Sequence, residues 1–291
     1  GKKFYGPSTL RKGIENSRNL MTIRLAQYLG MEKVAEIANR AGVMENMPNV
    51  LSMALGAGET SLIDLTTAYA SFVNGGKKVE PSLIDRIQDR RGKNIFLENF
   101  AACTNCDEPY IEDNPMPKLV NSSESIFDEA KSYQMVSILK GAVDRGTGRK
   151  TKIDGIEIAG KTGTTNNNTD AWFIGFTSDL IIGVYAGFDK PKSLGKRETG
   201  SSVAVPIFRD FVKNYYQDKP ILPFTIPNGI ELIKINYDTG EIASNFNSSE
   251  SVYEAFSKSD NLVSSGEILV GSEGFQIIEV ADEVMEEYVI Y

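Results

Sequence analysis

Apolar positions fall at helical spacing through the first third of the chain and at alternating spacing beyond residue 155. Leu10 and Ile14, then Leu20, Ile23, Leu25 and Leu29, predict two helical pieces over 9–30, separated near 16–19. A third helix over 31–41 ends at Gly42, and 53–58 reads as a glycine-punctuated loop. Ser61 is placed to cap a helix over 62–72 that closes at Asn74, Gly75 and Gly76. Residues 83–87 predict a strand, with a turn at Arg91, Gly92 and Lys93. Periodicity then fades, and about 95–125 reads as an irregular insertion. Tyr133, Val136, Leu139 and Val143 share one face of a helix over 126–143, broken by the Gly146 and Gly148 segment. Ile156 and Ile158, alternating with Glu157, predict a half-buried strand running into Gly160. Strands over 170–176 and 179–188 follow at hairpin spacing and complete an antiparallel meander. The next helix covers 200–216, with Pro206 tolerable only near its start. Beyond Pro220 the texture changes to short alternating segments, so the chain divides into 1–217 and a small β-rich extension over 218–291.

Composition refines this picture by exclusion. The chain has 291 residues and a net charge of -8, which argues against a nucleic-acid partner. Much of the acidity sits at Glu267, Glu273, Glu279, Asp282, Glu283, Glu286 and Glu287. No apolar run approaches the ~18 residues of a membrane span, and the start is no signal peptide. The sequence contains no histidine, which removes the Ser-His-Asp triad, Cys-His catalysis and nearly every catalytic zinc site. A general base must therefore be a carboxylate or a lysine of lowered pKa. Cys103 and Cys106 cannot complete a zinc site alone, and a local disulfide or a plain thiol pair is expected there. The expectation is no metal and no cofactor.

The chemistry concentrates at the end of the first meander strand. Lys161 offers a fixed positive charge, Thr162, Thr164 and Thr165 offer hydroxyls, and Gly163 leaves room for another backbone to lie close. Such a sheet edge suits an extended, anionic ligand. Residues 155–162 also fit the phosphate-loop formula G-x-x-x-x-G-K-[ST]. That loop needs a buried strand before it and a helix starting at the lysine, whereas 151–154 are polar and 162–169 make a poor helix start. Nucleotide binding is thus the weaker reading of this stretch. Ser17 and Asn19 could simply cap the second helix.

Ser17-Arg18-Asn19, followed much later by Lys161-Thr162-Gly163, resembles the second and third motifs of the penicillin-recognising serine transpeptidases. Arg18 stands where the usual motif has Asp. The segments at 9–11, 146–148, 159–165, 170–175, 206–211, 224–229 and 238–240 resemble the bifunctional, class A penicillin-binding proteins. This resemblance implies an α+β fold, an antiparallel sheet flanked by helices, and a peptidoglycan D,D-transpeptidase working through an acyl-serine intermediate. It implies that Lys161 and Ser17 hydrogen-bond across the site and that Ser17 helps move a proton to the leaving amine. Asn19 would bind the donor peptide, and the Thr162 and Thr164 hydroxyls would hold the substrate carboxylate beside Gly163 and Thr165. The Thr164 N–H would form half of the oxyanion hole. Implied partners are stem peptides, the lipid-linked precursor and β-lactam antibiotics, with no nucleic acid, at the periplasmic face of the inner membrane. A companion glycosyltransferase activity is implied as well.

The nucleophile motif S-x-x-K is expected well before Ser17, and Ser8 is too close and lacks the lysine. Ser137 and Lys140 fit the motif only in letters, because they fall between the second and third motifs. The expectation is that the nucleophile and the membrane anchor are not in this chain, and that this chain by itself is inactive. The alternative reading is a non-catalytic module that holds cell-wall peptides on the Lys161 edge.

Overall fold

The structure, a computed structural model, describes residues 6–98, 101–104, 118–121, 123–243, 251–258, 267–270 and 276–279. Its centre is a three-stranded antiparallel meander of β5 (Ala159–Thr164), β6 (Asp170–Phe176) and β7 (Ile181–Gly187), with β5 at the edge. Four helices precede it: α1 (Leu10–Glu15), α2 (Asn19–Leu29), α3 (Met31–Arg40) and α4 (Leu62–Val73). Two short hairpins follow, β1 (Arg86–Gln88) with β2 (Asn94–Leu97) and β3 (Ala101–Thr104) with β4 (Lys118–Asn121). Helix α5 (Glu129–Asp144) leads into the meander and α6 (Val205–Tyr215) leaves it. Strands β8 (Ile230–Asn236) and β9 (Ser251–Ser257) form a further hairpin, and β10 (Glu267–Val270) pairs with β11 (Gln276–Glu279).

Local chemistry sets these elements. Thr9 caps α1 by accepting from the Lys12 N–H, Ser61 caps α4 through the Asp64 N–H, and Asp128 caps α5 through the Ala130 and Lys131 N–H groups. Gly30, at φ 87, turns the chain between α2 and α3.

The sheet is clad on both faces. Phe173 and Val184, which are cross-strand partners, pack against Val205, Phe208 and Val212 of α6. Phe176 and Ala159, partners in the other pair, face Val136 and Leu139 of α5 and the Phe72 side of α4. Fully burying aromatics such as Phe173 and Phe208 supplies about 1.5–3 kcal/mol each. Gly175 permits this contact, since a Cβ there would lie 2.6 Å from the Phe208 ring. The β8–β9 hairpin docks on α5: Ile230 and Ala255 cluster with Ala130, and Gln134 donates to the Ala255 carbonyl at 2.9 Å.

The antiparallel sheet flanked by helices agrees with the sequence-based expectation. Several boundaries differ. The first meander strand starts at Ala159, because Ile156 bridges back to Ile153 in a tight turn at Gly155. The stretch at 53–58 is partly a 3-10 helix (Leu51–Leu55). The strand expected at 83–87 is β1, displaced to Arg86–Gln88 and paired with β2 across the expected turn at 91–93, while the insertion over 95–125 contains the β3–β4 pairing. The 200–216 helix opens with a π turn (Gly200–Ala204), which places Pro206 in the first α-helical turn. Cys106 and Glu273, Asp282, Glu283, Glu286 and Glu287 lie outside the described residues. No helix among the described residues is long and apolar enough to cross a membrane.

Candidate active site

Two structural units meet at one hydrogen bond. From the sheet edge, Lys161 donates to Ser17 Oγ at 2.8 Å and to the Thr162 carbonyl at 3.1 Å. Burial pulls the Lys161 pKa down to about 8, because the low-dielectric surroundings penalise its charged form. The lysine is therefore charged at neutral pH and close to losing its proton, rather than the fixed charge expected from sequence.

Ser17 comes from the turn between α1 and α2. The Ser17 N–H donates to the Ile14 carbonyl and the Arg18 N–H to the Gly13 carbonyl, which is the Schellman closure of a helix C-terminus. That closure needs a left-handed residue, normally glycine, and Ser17 fills it at φ 54. A non-glycine residue there costs about 1–2 kcal/mol. The turn thus keeps a hydroxyl at a place where a hydrogen would be more stable, and aims it at Lys161. Asn19 opens α2 two residues later and is exposed. Neither Ser17 nor Asn19 caps α2, which has no side-chain cap at Arg18, so the bland capping explanation for these two residues does not hold.

The remaining sequence-predicted residues fall along β5 and its exit. Thr162 donates to Thr147 Oγ1 at 2.9 Å. Thr164 Oγ1 is exposed and accepts from the Gly200 N–H at 3.1 Å, leaving its proton free to point outward. Gly163 pairs with Trp172, whose Cβ would sit 3.1 Å from any Cβ added at 163. Thr165 closes the β5–β6 turn instead, contacting Thr169 Oγ1 at 2.7 Å and accepting from the Asp170 N–H at 2.8 Å. Lys161, Ser17, Thr162 and Thr164 are thereby gathered at one edge of the sheet.

Thr147 was not among the site residues chosen from sequence, although the Gly146 and Gly148 around it were noticed. It bridges both units: its hydroxyl meets Thr162 and its N–H donates to the Glu15 carbonyl at 3.1 Å. Gly146 makes the approach possible, since a Cβ there would come within 2.2 Å of that same carbonyl.

Two other patterns resolve otherwise. Lys140 pairs with Glu157, while Ser137 Oγ accepts from Arg11 at 2.9 Å, so these two do not form a nucleophile and base. The phosphate-loop reading fails as well. After Lys161 the chain continues as strand rather than opening a helix, and Gly155 belongs to a turn. No group of His, Cys, Asp and Glu suited to a metal ion occurs among the described residues.

Comparison with known proteins agrees on one family. The penicillin binding protein transpeptidase domain matches residues 2–213. A "Penicillin-binding protein 1A" of Rickettsia bellii is 43% identical over 266 residues, covering 90% of this chain and 33% of that relative. One of Pseudomonas aeruginosa is 32% identical over 300 residues, covering 92% of this chain and 36% of that protein. The crystal structure of penicillin-binding protein 1A from Haemophilus influenzae superposes with a TM-score of 0.73 at 30% identity, covering 87% of this chain and 40% of that one. The chain spans about a third of the length of the curated relatives it matches.

Proposed function

The chain belongs to the penicillin-binding protein transpeptidase family, and on that premise we propose that it supplies half of a D,D-transpeptidase site that cross-links peptidoglycan stem peptides. The observation that carries the reading is the 2.8 Å bond between Lys161 and Ser17 beside the Thr162 and Thr164 hydroxyls. In the proposed reaction an acylatable serine attacks the carbonyl of the donor peptide's penultimate residue. The C–N bond breaks, the departing amine takes a proton relayed through Ser17 and Lys161, and an acyl-serine ester remains. An amine of a second stem peptide then attacks the ester and releases the serine. The Lys161 charge draws in the donor's terminal carboxylate, the Thr162 and Thr164 hydroxyls hold it beside Gly163 and Thr165, and Asn19 binds the donor amide. The Thr164 N–H stabilises the developing oxyanion.

The serine nucleophile and its lysine base come from outside the residues described here, since Ser137 and Lys140 are engaged elsewhere. Residues 1–217 make up the transpeptidase part and 218–291 an extension. The same proposal covers β-lactams as inhibitors, the lipid-linked precursor as the source of stem peptides, a glycosyltransferase activity in the whole protein, and a place at the periplasmic face of the inner membrane.

The test is covalent labelling with a fluorescent penicillin. The whole protein should take one label on a serine outside this chain and lose it in Lys161→Ala, and the 291-residue chain alone should take none. A whole protein that takes no label, yet binds stem peptides with an affinity that Lys161→Ala removes, would replace the transpeptidase reading with the peptide-binding one.

A further inference from the structure

Beneath the Ser17 turn lies a buried ionic cluster with no part in the chemistry proposed above. Glu15, two residues before Ser17, is fully buried. Its Oε1 accepts from Arg145 at 2.6 Å and from Arg11 at 3.2 Å, and its Oε2 accepts from Arg145 at 3.0 Å and from the Tyr237 hydroxyl at 2.8 Å. Arg11 continues into a two-pronged pair with Glu254 of β9. Two cations and two anions thus balance around a carboxylate that water does not reach, with Arg145 and Glu254 partly exposed at the margin, and this pairing is the condition under which a buried charge is tolerated. The helix opposite makes way for the carboxylate: a Cβ at Gly141 of α5 would lie 1.8 Å from Glu15 Oε1.

Glu15 links the segments that build the site, reaching β5 through Thr147. It precedes the left-handed Ser17, its backbone carbonyl holds the N–H of Thr147, and Thr147 meets Thr162 of β5. Arg145, which grips its carboxylate, opens the same short segment that presents Thr147. Asn16, adjacent to Ser17, donates to the Tyr237 hydroxyl at 3.1 Å, and the Thr9 hydroxyl donates to the Tyr237 carbonyl at 3.1 Å. Glu254 of β9 and Tyr237, just after β8, therefore grip α1 and the turn that follows it.

We infer that Glu15 is a positioning residue: through Arg145 and Tyr237 it locks the Ser17 turn and the Thr147 segment against β5, making the C-terminal hairpin part of the active-site scaffold. The inference rests on the transpeptidase reading for its kinetic consequence and on the geometry alone for its structural one. A carboxylate with two arginines and a phenol around it has one low-energy placement, whereas the neutral amide of Gln keeps the shape and loses the charge-assisted bonds. A misplacement of the Ser17 hydroxyl of the order of 1 Å lowers a rate about a hundredfold.

The experiment measures Glu15→Gln and Tyr237→Phe in the whole protein, with penicillin acylation separated into non-covalent affinity and acylation rate. Amide hydrogen exchange at Ser17, Arg18 and Thr147 is followed in parallel. Glu15→Gln is expected to lower the acylation rate by about tenfold to a hundredfold with affinity unchanged, and Tyr237→Phe by about fivefold. Exchange at the three amides rises in both variants while β6 stays protected. A merely structural role would lower the melting temperature without splitting rate from affinity. The inference is overturned if both variants acylate at the parental rate, or if rate and affinity fall together with no local change in exchange. Should Glu15→Gln not fold, Tyr237→Phe decides, because it removes the bonds to Glu15 and Asn16 and leaves the ion pairs intact. Should the unmodified protein take no label, the transpeptidase reading fails, and hydrogen exchange still decides the placement of the turn.

Discussion

The two sides of the site are built on opposite principles. The Lys161 side is a strand edge resting on a dry core, where Phe173 meets Phe208 edge-on at 4.9 Å and Phe176 meets Phe224 at 5.9 Å. The Ser17 side is a strained turn on a six-residue helix, held by ions and by a hairpin from the far end of the chain. Apolar packing has no preferred direction and gains from close fit, so it makes a firm base that resists a change of even one methyl group. Charged hydrogen bonds fix angles as well as distances, so they suit the side on which a hydroxyl must be aimed. The difference assigns stability to one side and aim to the other.

Mutations should separate these two contributions. The largest effect belongs to the dry side: Phe208→Ala leaves a cavity beneath the sheet and should cost about 3–5 kcal/mol in urea unfolding, lowering labelling only through loss of folded protein. Gly175→Ala forces a methyl into the Phe208 ring and should cost about 1–3 kcal/mol. On the other side the sign reverses. Ser17→Gly relieves the left-handed strain and should raise stability by up to about 1 kcal/mol, while penicillin labelling of the whole protein collapses. A Ser17→Gly variant that loses stability would show that the two sides share one role.

The smallest effect is a matter of pH. Lys161 holds a proton in the folded chain only up to about pH 8, against roughly 10.4 when unfolded. Between these values the unfolded state binds more protons, so this group adds stability as pH rises and withdraws it as pH falls through 8. The stability difference between the parent and Lys161→Met should therefore be largest below pH 8, favouring Met, and fade above about 10.5. Under the proposed function, capture of an anionic donor runs the other way. The second-order rate of penicillin labelling should decline above about pH 8 as the charge disappears, and Lys161→Arg should abolish that alkaline limb.

The same contrast explains what could be read from sequence. The meander was legible because residues 170–176 and 181–187 are near-continuous apolar runs at hairpin spacing, as strands clad on both faces should be. Lys161 stood out because a lysine, a glycine and three threonines share one sheet edge, and Ser17 because Ser17-Arg18-Asn19 together with Lys161-Thr162-Gly163 resembles a known pair of motifs. The partner strand at 94–97 was not legible, since a strand without a buried face carries no periodic signal. Glu15 was invisible for a different reason. An acidic residue at the end of a short helix reads as surface, and only the fold reveals Arg145 and Tyr237, 130 and 222 residues away, closing around it. Thr147 could have been found, because two glycines flank it and a chain seldom turns so sharply around a lone hydroxyl without something to meet.

The open flank of β5 has a bearing on how copies of this protein behave toward one another. Among the described residues nothing pairs with its outer side, so its backbone is a template for any extended chain, including a second β5. Aligned antiparallel, two such edges would fuse their meanders into one continuous sheet. Lys161 stands in the way, because the union would bring like charges together while the lysine keeps its proton. The lysine that meets Ser17 thus doubles as a guard against pairing between copies.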